Sequence, residues 1–389
     1  MTRRRISIAP HWAYLAACTL TVLAIALLGW WTAWRLFGVP TLEPVFADLR
    51  TIQAGLGAQR AGLDPQVVNP GDRWGRAMNY PSIWLGIARV LHWEREGNYL
   101  AFAIAADLAF VACCFDLIRR TRSWWIAALA LSGACAFGLE RGNNDLVVFV
   151  LLYVSAVAAR PLFAALVPLA TVLKIFPMLA LAAFVHRPRL ALLAAVLCAA
   201  ALAILAPELA LIRKTTANVL AADIAMANPA LATGNVMSYG AVRYADALAE
   251  LGFAVAPTIV CAVLLGLALL LHFGAPRLFR TGPADEMVAT LFLCGSAIFL
   301  GSTLIGPNWD YRLSFLLMAL PLIAALEMRT MRLVLPGLML FAGAMPLLDG
   351  FAGQPGWLLN LAAKAALFVL LSPLMLRTLT ARLPRQVQC

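Results

Sequence analysis

Charged side chains are scarce in this sequence. Asp, Glu, Lys and Arg make up 13% of the 389 residues, hydrophobic residues make up 63%, and the mean hydropathy is +0.85. A soluble globular domain has about a quarter charged residues and about half apolar ones, so this composition excludes that class. It predicts an all-α, polytopic integral membrane protein instead.

Residues that hold metals or build disulfide frameworks are few and scattered. The four histidines lie far apart, and all cysteines except Cys389 lie in apolar runs without the spacing of metal ligands. Cysteines of this kind are small buried hydrophobic residues. We therefore predict no metal site.

Nucleotide-binding and hydrolase motifs are also missing. The sequence has no recognisable Walker A loop, nucleotide-binding glycine fingerprint or Ser-His-Asp arrangement. A nucleotide sugar or ATP bound by a soluble domain is therefore not expected, and no cofactor is predicted.

The basic excess is better explained by topology than by nucleic-acid binding. The net charge is +11, but the arginines occur singly or in short runs between apolar segments. Nucleic-acid binding needs a basic face on a soluble domain. We predict no nucleic-acid partner.

Apolar runs long enough to span a membrane occur along the whole chain, since a span needs about 20 residues. The first follows "MTRRR" and looks like a retained span rather than a cleaved signal peptide. We predict one transmembrane domain, 1–389, with about 10 full spans. The candidates are 12–36, 99–118, 123–139, 144–159, 189–206, 254–273, 286–305, 310–327, 332–348 and 357–377.

The run 161–186 differs from these spans because Lys174 and Pro177 interrupt it. The excess of Arg and Lys on cytoplasmic loops places both termini inside. The later basic loops, including "HRPR" at 186–189, agree with that bias only if 161–186 enters and leaves on the same side. Proline breaks a helix, so the sequence predicts two half-helices that meet near Lys174 within the membrane.

Two long segments are predicted on the outer face, 37–98 and 207–253. Within the first, 48–60 and 82–93 are expected to be amphipathic helices on the membrane surface. Loops of this length on one face favour an outward-facing site over a structural anchor.

Asp48, in "VFADLRTIQ", is the first candidate for chemistry. A carboxylate against a hydrophobic wall can act as a general base toward a hydroxyl. The alternative is an N-cap for a helix that begins at Leu49.

The stretch "ERGNND" brings Arg141, Asn143, Asn144 and Asp145 to the outer mouth between two spans. Asn and Asp there can cap the following helix. The number of polar side chains exceeds what one cap requires, and Arg141 is a candidate phosphate ligand.

Lys174 has two interpretations. A cation at mid-depth needs a partner or an anionic ligand. It either pairs with a buried carboxylate, of which Asp107 is the expected candidate, or holds a phosphate oxygen.

Later in the chain, "NWDYRL" contains Asp310, a plausible N-cap, and Arg312, which either snorkels to the interface or binds an anion. Lys364 is a charge in the last span with no assigned partner. Weaker candidates in the second outer segment are Arg213, Lys214, Tyr239 and Arg243.

Taken in order, "AGLDP", "NYPS", "ERGNND" and "LKIFP" resemble the pattern of polyprenyl-phosphate-dependent sugar transferases of the GT-C superfamily, in particular glycosyltransferase family 87. That family includes bacterial α-mannosyltransferases. The resemblance covers roughly residues 1–190, with "NWDYRL" as later support.

The resemblance implies a fold of GT-C type and a metal-independent, inverting transfer of a hexose, with mannose favoured. The donor would be a polyprenyl-phosphate sugar, and the acceptor a lipid or glycan hydroxyl at the outer face of a bacterial inner membrane. Asp48 would be the catalytic base. The residues expected to bind substrate are Arg141, Asn143, Asn144, Asp145, Lys174, Tyr80, Asp310 and Arg312.

Two alternatives remain at the level of sequence. A lipid or lipid-linked-sugar flippase would also place charges and broken helices near the midplane, but no internal repeat is evident between the halves. A relative that has lost catalysis and acts as an assembly subunit is the other, and the presence of Asp48 argues against it.

Overall fold

The computed structural model describes residues 9–158, 160–227, 237–306 and 308–381, and helices form nearly all of its regular structure. The basic terminal residues that set the predicted orientation, Arg3 to Arg5, Arg382 and Arg385, lie outside these ranges. The α-helices are α1 (Pro10–Leu28), α2 (Trp30–Leu36), α3 (Ala47–Arg60), α4 (Ile83–Val90), α5 (Glu96–Thr121), α6 (Trp124–Ala130), α7 (Gly133–Arg141), α8 (Asn144–Val157), α9 (Arg160–Leu173), α10 (Pro188–Ala227), α11 (Ala241–Glu250), α12 (Pro257–Gly274), α13 (Glu286–Ile305), α14 (Leu320–Ala324), α15 (Arg329–Gly343) and α16 (Met345–Thr380).

Three 3₁₀ helices and one short ribbon complete the described structure. The 3₁₀ helices are Phe176–Phe184, Pro276–Phe279 and Asp310–Met318. The ribbon pairs β1 (Ser238–Tyr239) antiparallel with β2 (Asn308–Trp309), with Tyr239 opposite Asn308.

Six helices in the described ranges are long and apolar enough to cross a membrane, so the chain is an α-helical membrane protein. They are Pro10–Leu28, Glu96–Thr121, Pro188–Ile212, Pro257–Gly274, Glu286–Ile305 and Gly356–Thr380. The most apolar window of α13 is 72% buried, whereas that of α1 is 6% buried. Thus α13 forms the centre of the bundle, and the apolar surface of α1 faces outward.

Several predicted spans are divided in the structure. The run 12–36 breaks at Gly29, whose φ of +82° belongs to a region that other residues rarely adopt. The run 123–139 forms α6 and α7, and 310–327 forms a 3₁₀ helix followed by α14. Apolar composition predicts burial in either case, but it does not distinguish one long helix from two short ones.

The predicted span 189–206 ends too early. Helix α10 continues through Pro207 to Ala227, since a proline inside a helix can kink the helix instead of breaking it. Glu208, just after this proline, accepts hydrogen bonds from Gln66 Nε2 at 2.9 Å and from the Ser82 amide at 2.8 Å. This helix therefore holds the first long loop in place.

The predicted break near Lys174 is present. Helix α9 ends at Leu173, and the chain continues as a 3₁₀ helix from Phe176 with Pro177 in its first turn. The amphipathic segments of the first loop are also helical, as α3 and α4. They share a core with buried Trp84 and Trp93, so this loop is a packed unit.

Candidate functional site

Asp48 lies in the first turn of α3, where a carboxylate complements the positive end of the helix. The N-cap position belongs to Phe46, so the interpretation of Asp48 as the cap is wrong. Phe46 has a left-handed backbone with φ of +57°, and the Tyr99 hydroxyl donates to its carbonyl at 2.7 Å. This fixed turn directs the helix start toward the site.

Both carboxylate oxygens of Asp48 have donors. Arg76 Nη1 lies 3.3 Å from Oδ1, and Asn143 Nδ2 donates to Oδ2 at 2.6 Å. Arg76 is held in turn by Asp72, 3.1 Å away, and by the Ala47 carbonyl at 2.7 Å. The Asp48 side chain is 12% exposed, so it still reaches open space.

Gly142 brings "ERGNND" against this carboxylate. It ends α7 in the left-handed region with φ of +58°, and a Cβ there would meet the Phe46 side chain at 2.9 Å. Only glycine meets both requirements without a shift of the neighbouring side chain. The close contact places Asn143 beside Asp48.

Asn143 connects two charged groups. Its Oδ1 accepts from the Asp145 amide at 2.9 Å as the N-cap of α8, and from Lys174 Nζ at 3.3 Å. Its Nδ2 donates to Asp48. Because an amide has one accepting and one donating end, this orientation serves a cation on one side and a carboxylate on the other.

Asp145 is the carboxylate partner of Lys174, so the pairing expected with Asp107 is wrong. Asp145 Oδ1 forms an ion pair with Lys174 Nζ, and Oδ2 accepts from Arg312 Nε at 3.0 Å. Asp145 is fully buried, whereas the side chains of Lys174 and Arg312 are 14% and 13% exposed. Two cations therefore share one buried anion.

The chain around β2 positions Arg312. Its guanidinium lies 4.1 Å from the centroid of the Phe176 ring and donates to Asn308 Oδ1. Asn308 Nδ2 is fixed by the carbonyls of Ser302 and Gly306, each at 2.7 Å. Arg312 is thus part of a fixed network and does not snorkel freely.

The formal charges divide this region into two parts. Asp48, Asp72 and Arg76 amount to two carboxylates and one guanidinium, with a formal charge of −1. Asp145, Lys174 and Arg312 amount to one carboxylate and two cations, with a formal charge of +1. Asn143 joins the two parts, so an acceptor of protons lies beside a site that favours anions.

An open cleft lies over Asp48. Its lining includes Asp48, Arg76, Tyr80, Arg141, Trp309 and Tyr311. The rings of Trp309 and Tyr311 are stacked with centroids 6.5 Å apart, and the Arg141 guanidinium lies 4.9 Å from the Phe137 ring centroid. A lining that contains both polar groups and aromatic rings suits a ligand with both hydroxyl groups and apolar faces.

The structure brings together most of the residues predicted to bind substrate. Tyr80 and Arg141 line the cleft, and Asn143, Asp145, Lys174 and Arg312 lie directly behind Asp48. Lys174 Nζ lies 5.2 Å from the Tyr80 ring centroid.

Asn144 is buried and is not among the residues that line the cleft. Neither atom of its side-chain amide has a hydrogen-bond partner within the described ranges.

Asp310 does not belong to this group. Its carboxylate accepts from Lys364 Nζ at 2.6 and 2.8 Å, and both side chains are at most 1% exposed. Trp309 occupies the N-cap position, so the prediction of Asp310 as a cap is also wrong. Lys364, which had no partner assigned from the sequence, is the other half of this closed pair.

The weaker candidates Lys214, Tyr239 and Arg243 are not among the residues that line the cleft. Arg243 pairs with Asp246 at 2.8 Å, and the Tyr239 hydroxyl lies 3.3 Å from Ser302 Oγ. Lys214 is exposed, and the side chain of Arg213 falls outside the described residues.

Sequence reasoning missed Arg76 and Asp72. Both occur in "NPGDRWGR", four residues apart in the first outer loop. An acid and an arginine in a loop already expected to carry the site were a usable signal. The described residues contain no group of His, Cys, Asp or Glu that could hold a metal ion.

Comparisons with family models, curated proteins and solved structures found no match to this chain.

Proposed function

We propose that this protein is a membrane glycosyltransferase of GT-C type that needs no cofactor. It moves a hexose, with mannose favoured by the family resemblance, from a polyprenyl-phosphate sugar to a hydroxyl of a lipid or glycan at the outer face. The carrying observation is the partly exposed carboxylate of Asp48, which lines an open cleft and is joined through Asn143 to a group with surplus positive charge.

Asp48 acts as the general base in this proposal. The acceptor oxygen attacks the anomeric carbon from the face opposite the phosphate, and its proton passes to the carboxylate. Oδ1 is the suitable atom, since its contact with Arg76 is long at 3.3 Å while Oδ2 already accepts a short hydrogen bond from Asn143. Arg76 and Asn143 orient the carboxylate.

Lipid phosphate leaves with the electron pair of the broken carbon–oxygen bond. Lys174 and Arg312 carry one positive charge more than Asp145 neutralises, and Arg141 lines the same cleft. Cations fixed before the reaction stabilise the developing phosphate charge without reorganisation, which lowers the barrier.

A flippase is the second candidate, and the break between α9 and the following 3₁₀ helix favours it. Transporters often place broken helices and charges at a midplane binding site. In that case the Lys174 group would hold the lipid phosphate during movement, and Asp48 would have no base role.

The deciding experiment uses the purified protein in lipid nanodiscs with a panel of polyprenyl-phosphate sugars and a membrane lipid extract as acceptor. We expect a new glycolipid by mass spectrometry with one donor. Asp48→Asn should form it about 10²–10⁴-fold more slowly, whereas Asp64→Asn, the same change at an exposed position of the same loop, should retain activity.

The flippase alternative is tested in sealed vesicles that contain no acceptor. Movement of the lipid-linked sugar between leaflets, with no glycolipid formed by the nanodisc samples, would support the flippase. Full turnover by Asp48→Asn would contradict the base role even if transfer is observed.

A further inference from the structure

A second cavity, open to solvent, lies at the opposite end of the bundle from the cleft. Helix α8 begins at Asn144 beside Asp48 and ends at Val157 beside this cavity. Helix α13 begins at Glu286, which lines the cavity, and ends near Asn308. At 1.5 Å per residue these helices separate the two sites by about 20–30 Å.

The described lining of this cavity contains an ion pair. Arg187 and Glu286 form a salt bridge, with 26% and 23% of their side chains exposed, and they are the only charged residues among its described lining. Phe184 and Met287 contribute apolar walls, and Thr290 contributes a hydroxyl. The described part of the lining therefore carries one charged group of each sign.

The cavity lies at the level expected for lipid headgroups. Arg187 directly precedes the candidate span Pro188–Ile212, and Glu286 begins the candidate span Glu286–Ile305. The ends of apolar spans lie at the boundary between hydrocarbon and headgroups.

An exposed apolar surface continues from the cavity along α10. Leu190 lines the cavity, and Leu193 and Leu197 follow on the same helix face with 50% and 40% exposure. This surface suits acyl chains below a bound headgroup.

We propose that the cavity binds a zwitterionic phospholipid with a primary ammonium headgroup, of the phosphatidylethanolamine type. Arg187 donates to the phosphate oxygens, and the ammonium donates to the Glu286 carboxylate. A purely anionic headgroup satisfies Arg187 but is repelled by Glu286. A choline headgroup has no N–H to donate to the carboxylate.

The test is native mass spectrometry of delipidated, detergent-purified protein incubated with matched phosphatidylethanolamine, phosphatidylcholine or phosphatidylglycerol, and separately with inorganic phosphate. We expect retention of phosphatidylethanolamine to exceed that of the other two lipids by about tenfold, since one hydrogen bond to a charged group contributes about that factor. Inorganic phosphate alone should not compete.

Arg187→Gln and Glu286→Gln should each reduce this retention by about tenfold. Arg329→Gln, at the exposed start of α15, is the matched control and should leave it unchanged. Equal retention of the three lipids by the unmodified protein, competition by phosphate, or unchanged retention in both cavity variants would overturn the proposal. If the variants do not fold, the lipid selectivity of the unmodified protein decides alone.

Discussion

Two lysine–aspartate pairs in this protein look alike in chemistry and differ in surroundings. Lys174 and Asp145 lie behind the cleft, together with Arg312 and Asn143. Lys364 and Asp310 form a pair with at most 1% exposure and matched charges. The first group has an extra cation and side chains that are partly exposed, whereas the second is neutral and closed.

This difference shows which buried charges indicate a site. Burial of a charge is costly in both places, and a partner compensates part of that cost. A closed, balanced pair has nothing left to offer a ligand, so its role is structural. A group with surplus charge beside a cleft can still attract an anion. The exposure of the side chains and the balance of their charges therefore distinguish the two cases.

The largest effect is expected on the transfer rate, from a substitution at the cleft. Asp48→Asn should lower the transfer rate by about 10²–10⁴-fold, the range that a general base contributes. The shape of the side chain is retained, so the thermal unfolding midpoint in detergent should change little. Rate and midpoint are measured on the same preparation, and a parallel loss of both would indicate misfolding rather than loss of a base.

Removing a partner from the closed pair should act on stability instead. Lys364→Met leaves the Asp310 carboxylate buried without compensation, which costs about 3–5 kcal/mol in the free energy of unfolding. Denaturant unfolding in detergent measures this loss. The double variant Lys364→Met, Asp310→Asn should recover most of it, and no recovery would mean that the lysine stem, not its charge, matters.

Lys174→Met should have a smaller effect on stability than Lys364→Met, because Arg312 remains as a partner for Asp145. We expect a loss of about 1–3 kcal/mol, as for one unsatisfied buried group. Its functional effect should be a raised KM for the lipid-linked donor with a smaller change in kcat. An unchanged KM in steady-state assays would assign Lys174 a structural role.

The smallest effect on stability is expected for a solvent-exposed ion pair. Arg60 and Glu94 are paired at 2.5 Å, but 61% of the Arg60 side chain is exposed. Arg60→Gln should leave the free energy of unfolding almost unchanged, since solvent screens such pairs. The same unfolding assay checks this, and a loss comparable to that of Lys364→Met would contradict the distinction drawn from burial.

Local features of the fold could be predicted from the sequence. The apolar runs that became α5, α12 and α13, the helix that carries Asp48, and the break at Lys174 were all predicted from residue type and spacing. Length and hydropathy decide such features, because a membrane requires long apolar helices. The division of other runs into short helices was not predicted.

Partners distant in the chain could not be predicted. Asp48 and Asn143 are 95 residues apart, and Asp310 and Lys364 are 54 apart. The residues around Lys364 and around Lys174 do not indicate that these lysines pair with Asp310 and Asp145. The contacts depend on which helix faces meet.

The sequence by itself therefore determined that this is an α-helical membrane protein, and it identified Asp48 and Lys174 as unusual charges. Only the tertiary structure decided that Asn143 joins these two charges and that Asp310 lies in a separate pair with Lys364. The physical reason is that the cost of a buried charge is local, whereas its compensation comes from any helix packed against it.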